Sequence, residues 1–110
     1  MQQIKEYREK HPGEPIRVVA HSHGGSAALL ASKCAQIDDL VTLGTPIMPD
    51  YQPGKGVKKW ENVYSTGDRV QTIPLGATRT SPSANNIKVN KKYGHSDLHT
   101  NPAWDEAFPR

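Results

Sequence analysis

The sequence is poor in cysteine and in long apolar runs, and both shortages limit what the protein can be. Its single cysteine, Cys34, cannot form a disulfide within the chain, so no oxidised framework supports the fold. No apolar stretch approaches the roughly 20 residues that a membrane-spanning helix needs, and residues 1–6 lack the apolar segment of a secretory signal. The sequence therefore predicts a soluble chain and leaves its compartment open.

The bulk composition fits one small globular domain. The 110 residues are 35% hydrophobic and 23% charged, which is enough for one modest core and too little for two domains. The net charge of +3 comes from 14 basic and 11 acidic residues. A bias this small is typical of solvated surface lysines rather than of a nucleic-acid interface. We therefore expect a single domain over residues 1–110 and no nucleic-acid partner.

Segments typical of strands alternate along the chain with helical or turn-rich segments. The predicted strands, which share β-branched or apolar residues, are 15–20, 40–43, 62–66 and 87–89. The predicted helices are 2–10, 26–31 and 96–108. This alternation indicates a parallel sheet with α/β crossovers, and the functional groups of such a sheet gather beyond the carboxyl ends of its strands.

A serine follows the first predicted strand in a setting that indicates a sharp turn. Ser22 lies after a mostly apolar run, residues 15–20, and before Gly24, Gly25 and a run of small residues. Small neighbours are needed where a strand doubles back into a helix, and such a turn exposes the serine hydroxyl. The first amides of the helix then lack partners, so the backbone amide of His23 is placed to donate to an oxyanion. The pattern favours a nucleophilic serine over a helix-capping one.

Four segments, taken in order, resemble the lipase and esterase branch of the α/β-hydrolase superfamily. Ala20-His21-Ser22-His23-Gly24-Gly25 is similar to the Gly-x-Ser-x-Gly nucleophile elbow of that family, with alanine in place of the first glycine. The later segments resemble the end of the strand after the elbow, the acid turn and the histidine loop. They are Leu43-Gly44-Thr45-Pro46, Ser65-Thr66-Gly67-Asp68-Arg69-Val70 and Gly94-His95-Ser96-Asp97. The resemblance covers about residues 15–100.

The resemblance implies a fold, a reaction and a substrate class. The implied fold is a truncated α/β-hydrolase-like three-layer sandwich with a short, mostly parallel sheet. The implied activity is hydrolysis of carboxylic esters through an acyl-enzyme intermediate, without a cofactor. Because the substrate would be an ester or a lipid, contact with lipid or with a membrane surface is also expected.

The resemblance also implies a catalytic triad. In the family's chain order of serine, acid and histidine, Ser22 is the nucleophile, Asp68 the acid and His95 the base. His99 is the alternative base, although we expect it inside the terminal helix and His95 in the loop before that helix. Asp97 is a weaker candidate for the acid, as is Asp50.

The strands that precede the elbow in that family have no counterpart in the sequence. Nothing before residue 15 can supply the second oxyanion donor that family members take from an earlier loop. Ile16, Val18 and Val19 would also form an exposed apolar edge. We therefore expect a missing N-terminal segment or a partner chain to pair along residues 15–20. A catalytically incomplete binding module with the same fold stays an alternative.

Histidine spacing leaves a metal-dependent hydrolase as a further alternative. His21-x-His23 and His95-x-Asp97-x-His99 have spacings that could bind zinc or a similar ion. The two elbow histidines would project in different directions, however, and such a ligand set does not explain the two glycines that follow. The sequence therefore favours a serine hydrolase without a metal.

Overall fold

The computed structural model describes residues 2–49 and 52–109, and within them a single four-stranded sheet forms the centre of the molecule. Its strands are β1 (Arg17–His21), β2 (Asp39–Leu43), β3 (Trp60–Tyr64) and β4 (Asn85–Lys88). They lie in the order β1-β2-β3-β4, and each neighbouring pair is parallel. The predicted α/β class with a short parallel sheet is confirmed.

Three α-helices accompany the sheet in the described part of the chain. They are α1 (Gln2–Lys10), α2 (His23–Ala31) and α3 (Asn101–Ala107), and two short 3-10 turns span Val70–Thr72 and His95–Asp97. None of the described helices is long and apolar enough to cross a membrane.

Apolar side chains pack on both faces of the sheet, so the fold has three layers. Successive residues of a strand point to opposite faces, and Leu40 and Val41 of β2 accordingly join different clusters. The cluster on the α2 face consists of Ala28, Leu29, Ile37, Leu40, Ile47 and Trp60, with Ile4 of α1 packed against it. The cluster on the α3 face consists of Val41, Leu43, Val63, Val89, Leu98 and Ala107, flanked by Trp104 and Phe108.

All four strands differ from the sequence prediction by one or two residues at their ends, and β3 and β4 both begin two residues earlier than predicted. β3 begins at Trp60 rather than at residue 62, because Trp60 and Glu61 pair with the backbone of β2. β4 begins at Asn85 rather than at residue 87, because two asparagines pair with β3. In both cases backbone pairing extends the strand beyond the apolar residues that the sequence pattern detects.

The terminal helix is shorter than predicted. The sequence predicts one helix over 96–108, whereas the structure has a 3-10 turn at His95–Asp97 and begins α3 only at Asn101. Pro102 lies in the first turn of α3, where its missing N–H removes no helical hydrogen bond. The expectation that His99 lies inside the helix is therefore wrong, and it lies in the turn before the helix.

β1 forms one edge of the sheet and pairs with β2 alone among the described strands. The side chain of Val19 is 49% exposed on this edge. Ile16 and Val18 are only half-buried rather than exposed, and Val18 packs against the cluster on the α2 face. The apolar edge is thus narrower than expected, and pairing of a further strand along residues 15–20 stays a prediction.

Asp38 joins three separate parts of the fold at the start of β2. Its Oδ2 accepts hydrogen bonds from the Ile16 amide at 2.6 Å and from Arg8 Nη2 at 3.2 Å, and its Oδ1 lies 3.3 Å from Lys58 Nζ. The hydrogen bond from Ile16 is the largest cause that lowers the pKa of Asp38 from 3.8 to about 2, and the two cations add to it against partial desolvation. The folded protein therefore binds this proton less readily than the unfolded chain.

We expect Asp38→Asn to destabilise the protein at neutral pH and to matter less in acid. Because the pKa is lowered in the folded state, the stabilisation is complete above the unfolded pKa of 3.8 and is lost as the pH falls towards 2. Urea unfolding of the wild type and the variant, repeated at falling pH, measures this difference. Asp105→Asn, on the exposed surface of α3, is the control. A difference in stability that stays constant down to pH 2 would contradict the assignment.

Candidate active site

Ser22 joins β1 to α2 in a strained backbone conformation. Its φ is 59° and its ψ is −130°, and no other non-glycine residue among those described has a positive φ. A side chain with a Cβ rarely adopts this conformation unless its surroundings hold it in place. Here the Ser22 amide donates to the Leu43 carbonyl at 2.9 Å, and the Ser22 carbonyl accepts from the Gly25 amide at 3.0 Å. The chain thus reverses from strand to helix at one residue, as predicted for the turn.

Gly25 and Thr45 support this turn from the neighbouring strand end. A Cβ on Gly25 would collide with the side chain of Thr45, so a glycine is needed where the helix passes this loop. Thr45 Oγ1 donates to the Ser22 carbonyl at 2.8 Å. The Thr45 carbonyl in turn accepts from Nε2 of the buried Gln71 at 3.1 Å. The segments that follow β2 and β3 therefore both brace the turn at Ser22.

Three side chains from three different segments form one hydrogen-bonded chain at the carboxyl edge of the sheet. Ser22 Oγ lies 2.8 Å from His95 Nε2, and His95 Nδ1 lies 2.9 Å from Asp68 Oδ2. Asp68 is fully buried, whereas the side chain of His95 is 21% exposed. The structure therefore brings together the three residues that the sequence predicts for the triad.

The buried carboxylate of Asp68 is held by its own turn. Its Oδ1 accepts from the Val70 amide at 2.9 Å, and its backbone carbonyl accepts from Arg79 Nη2 at 3.1 Å. Gly67 lies against the backbone of Lys91, in the loop that leads to His95, and a Cβ on Gly67 would collide with the Lys91 carbonyl. The glycine thus allows the acid turn and the histidine loop to approach each other.

Because Gly44 has no side chain, it leaves space for the contact between Asp68 and His95. Its φ is 61°, which favours glycine. A Cβ at this position would lie 2.9 Å from Asp68 Oδ2, 2.8 Å from Leu98 Cδ1 and 3.5 Å from His95 Nδ1. In the sequence, Gly44 stands out only as part of a segment after a buried strand. Its role beside the triad depends on contacts with segments more than twenty residues away, for which the sequence pattern has no signal.

Three further predicted residues, His23, His99 and Asp97, lie outside the hydrogen-bonded chain of Ser22, His95 and Asp68. His23 is the exposed first residue of α2, so its amide has no partner within the helix and is free to meet an anion. His99 is exposed, and its ring centroid lies 4.6 Å from that of His21 rather than within the hydrogen-bonded chain. Asp97 Oδ2 accepts from the Gly94 amide at 3.0 Å and so closes the 3-10 turn. Asp50 lies outside the described residues.

The two histidine sets considered as metal ligands do not form a metal site in the described part of the chain. No group of three or more His, Cys, Asp or Glu side chains among residues 2–49 and 52–109 is arranged to hold a metal ion. His21 Nε2 instead contacts the His95 carbonyl at 2.8 Å, and its ring packs against those of His95 and His99.

Comparisons with protein-family models and with curated proteins find no relative of this sequence. No protein-family model matches the sequence, and a search of curated proteins gives no significant match. The relation to the lipase and esterase branch of the α/β-hydrolase superfamily therefore stays a prediction from the four sequence segments.

Proposed function

We propose that the protein is a lipase-like or esterase-like serine hydrolase that cleaves carboxylic esters through an acyl-enzyme intermediate. The observation that carries this proposal is the chain of hydrogen bonds from Ser22 Oγ through the His95 ring to Asp68 Oδ2. A serine hydroxyl is a weak nucleophile until a neighbouring base removes its proton. An imidazole that is oriented by a carboxylate supplies that base near neutral pH.

The proposed reaction proceeds in two halves. In the first, Ser22 Oγ attacks the ester carbonyl carbon while His95 Nε2 takes the hydroxyl proton, and the same proton then passes to the departing alkoxide. The serine is left as an acyl ester. In the second, His95 takes a proton from water, the hydroxide attacks the acyl carbon, and Ser22 leaves with the proton that His95 returns.

Asp68 determines which nitrogen of His95 can act as the base. An ionised carboxylate only accepts hydrogen bonds, so it selects the tautomer with the proton on Nδ1. The lone pair of Nε2 then points to Ser22 Oγ, 2.8 Å away. The buried negative charge also stabilises the imidazolium that forms during attack.

The start of α2 supplies one donor for the oxyanion. The His23 amide lies directly after the nucleophile at the positive end of the helix, where a backbone N–H stabilises developing negative charge. The amide of Gly25 is already used by the Ser22 carbonyl. We propose that a second hydrogen-bond donor to the oxyanion comes from another segment or from another chain.

Exposed apolar side chains after the acid turn support an apolar substrate. Ile73 is 73% exposed and Leu75 is 97% exposed, and both follow the 3-10 turn that begins at Val70, two residues after Asp68. Large apolar side chains this exposed suit contact with hydrocarbon. We therefore propose that this loop meets the acyl chain of the ester or the lipid surface that presents it.

A serine-directed fluorophosphonate tests the reaction class. We expect it to label Ser22 stoichiometrically and to stop hydrolysis of a short p-nitrophenyl ester, since the activated hydroxyl displaces fluoride from phosphorus. Peptide mass spectrometry identifies the labelled residue. His99→Ala is the matched histidine control and should keep hydrolysis within a few-fold of wild type, because His99 is outside the hydrogen-bonded chain.

Two results would contradict the proposal in different ways. Hydrolysis that resists the fluorophosphonate but is lost to a chelator, with stoichiometric zinc in the purified protein, would favour the metal-dependent hydrolase. A folded protein that neither reacts with the probe nor cleaves any ester would favour the binding module.

A further inference from the structure

His21 stands directly before the nucleophile, and its side chain contacts the loop that carries the base. Its Nε2 lies 2.8 Å from the backbone oxygen of His95, which is 74 positions further along the chain. Its ring centroid lies 4.8 Å from that of His95 and 4.6 Å from that of His99. The end of β1 therefore reaches the histidine loop through two consecutive residues.

We propose that His21 is a positioning residue that holds His95 in register with Ser22. The inference rests on the proposed function, because it concerns the same serine and imidazole. Ser22 Oγ lies 2.8 Å from Nε2 in the ring of His95. His21 Nε2 lies at the same distance from the backbone oxygen of His95. One short segment of chain thus fixes both the backbone and the side chain of the base.

The histidine loop needs such an external contact. His95 opens a three-residue 3-10 turn, His95–Asp97, and hydrogen bonds within such short turns have poor geometry. The local bonds that close it are those from the Gly94 amide to Asp97 Oδ2 and from the Asp97 amide to the Gly94 carbonyl. Neither bond ties the loop to the nucleophile. The contact from His21 does, because β1 is anchored in the sheet by its pairing with β2.

The geometry also determines the protonation of His21. A backbone carbonyl oxygen can only accept a hydrogen bond, so Nε2 of His21 must carry a proton and donate it. That nitrogen is then unavailable as a general base or as a metal ligand. His21 acts through the backbone of His95 and touches neither the substrate nor the proton that is transferred.

A pair of substitutions separates the hydrogen bond from the ring packing. His21→Phe keeps an aromatic ring but removes the donor, whereas His21→Gln places an amide N–H at a similar reach. We expect His21→Phe to lower kcat by about 10-fold to 100-fold, the scale of a misplacement of about 1 Å at a reacting group. KM should change little, and His21→Gln should recover most of the loss. The rate of fluorophosphonate labelling should follow kcat.

Two controls distinguish positioning from stability. His99→Phe changes a ring that also packs on His21 and should leave kcat nearly unchanged. Thermal unfolding of each variant shows whether the fold is kept. A folded His21→Phe variant with wild-type kcat would overturn the inference while leaving the proposed hydrolase intact.

A further measurement uses the wild-type protein. It depends neither on whether the variants fold nor on whether the protein hydrolyses esters. In protein labelled with 13C,15N-histidine, NMR should find His21 with its proton on Nε2 and a hydrogen-bond coupling from that nitrogen to the His95 carbonyl carbon. An unprotonated Nε2 would overturn the inference even if esters are hydrolysed. Absence of ester hydrolysis by a wild-type protein with the expected tautomer would instead count against the proposed function.

Discussion

Replacing Ser22 with alanine should abolish ester hydrolysis and leave the fold unchanged. The substitution removes the oxygen that we propose as the nucleophile and its hydrogen bond to His95, while the bonds that hold the turn come from the Ser22 backbone. Alanine has the same Cβ as serine, so the positive φ is no more strained than before. By analogy with known serine hydrolases, we expect kcat for a short p-nitrophenyl ester to fall by about 10⁴-fold or more. Circular dichroism and thermal unfolding check the fold.

Ser26→Ala is a matched control one turn further along the chain. Ser26 is a buried serine of α2, and its hydroxyl has no hydrogen-bond partner in the described structure. Removing that hydroxyl should leave hydrolysis unchanged and should not reduce stability, because no bond is lost. Wild-type turnover in Ser22→Ala would remove the assignment of the nucleophile, whereas equal losses in both variants would indicate a general effect on α2.

The parts of the fold that the sequence predicts well are those where apolar or small residues leave a local signal. The run before Ser22 contains Ile16, Val18 and Val19, and two glycines follow, so both β1 and the sharp turn leave a local signal, although no residue of β1 is fully buried. β4 is different, because its first residues, Asn85 and Asn86, are exposed and polar. They form a strand because the backbone of β3 is available to pair with them. Such pairing depends on tertiary structure and is invisible in the local pattern.

The site divides in the same way between what the sequence predicts and what only the fold determines. The order of Ser22, Asp68 and His95, each following a predicted strand, identifies the three groups that meet at 2.8 Å and 2.9 Å. Gly44 and the backbone contact from His21 have no comparable signal, because each depends on atoms brought together from distant segments. The sequence thus predicts which three side chains meet at the site. It does not predict the contacts that hold those side chains in place.

Replacing Asp68 with asparagine should reduce hydrolysis almost as strongly as the loss of the serine hydroxyl. An asparagine can present its NH₂ group to His95 Nδ1 and so favour the tautomer with the proton on Nε2, which then cannot accept the proton of Ser22. The charge that stabilises the imidazolium is also lost. By analogy with known triads, we expect kcat to fall by about 10³-fold to 10⁴-fold. Because Asp68 is fully buried, thermal unfolding must show that the variant is still folded.

Asp97→Asn is the matched control for this change, because it makes the same substitution two residues after His95. Asp97 Oδ2 accepts a hydrogen bond from the Gly94 amide, and an asparagine keeps a carbonyl oxygen that can accept it. Its turnover should therefore stay within a few-fold of wild type. If Asp97→Asn were inactive and Asp68→Asn active, the imidazole would take its orientation from the other aspartate. Since Asp68 Oδ2 lies 2.9 Å from His95 Nδ1, whereas Asp97 is hydrogen-bonded to backbone, we expect the opposite.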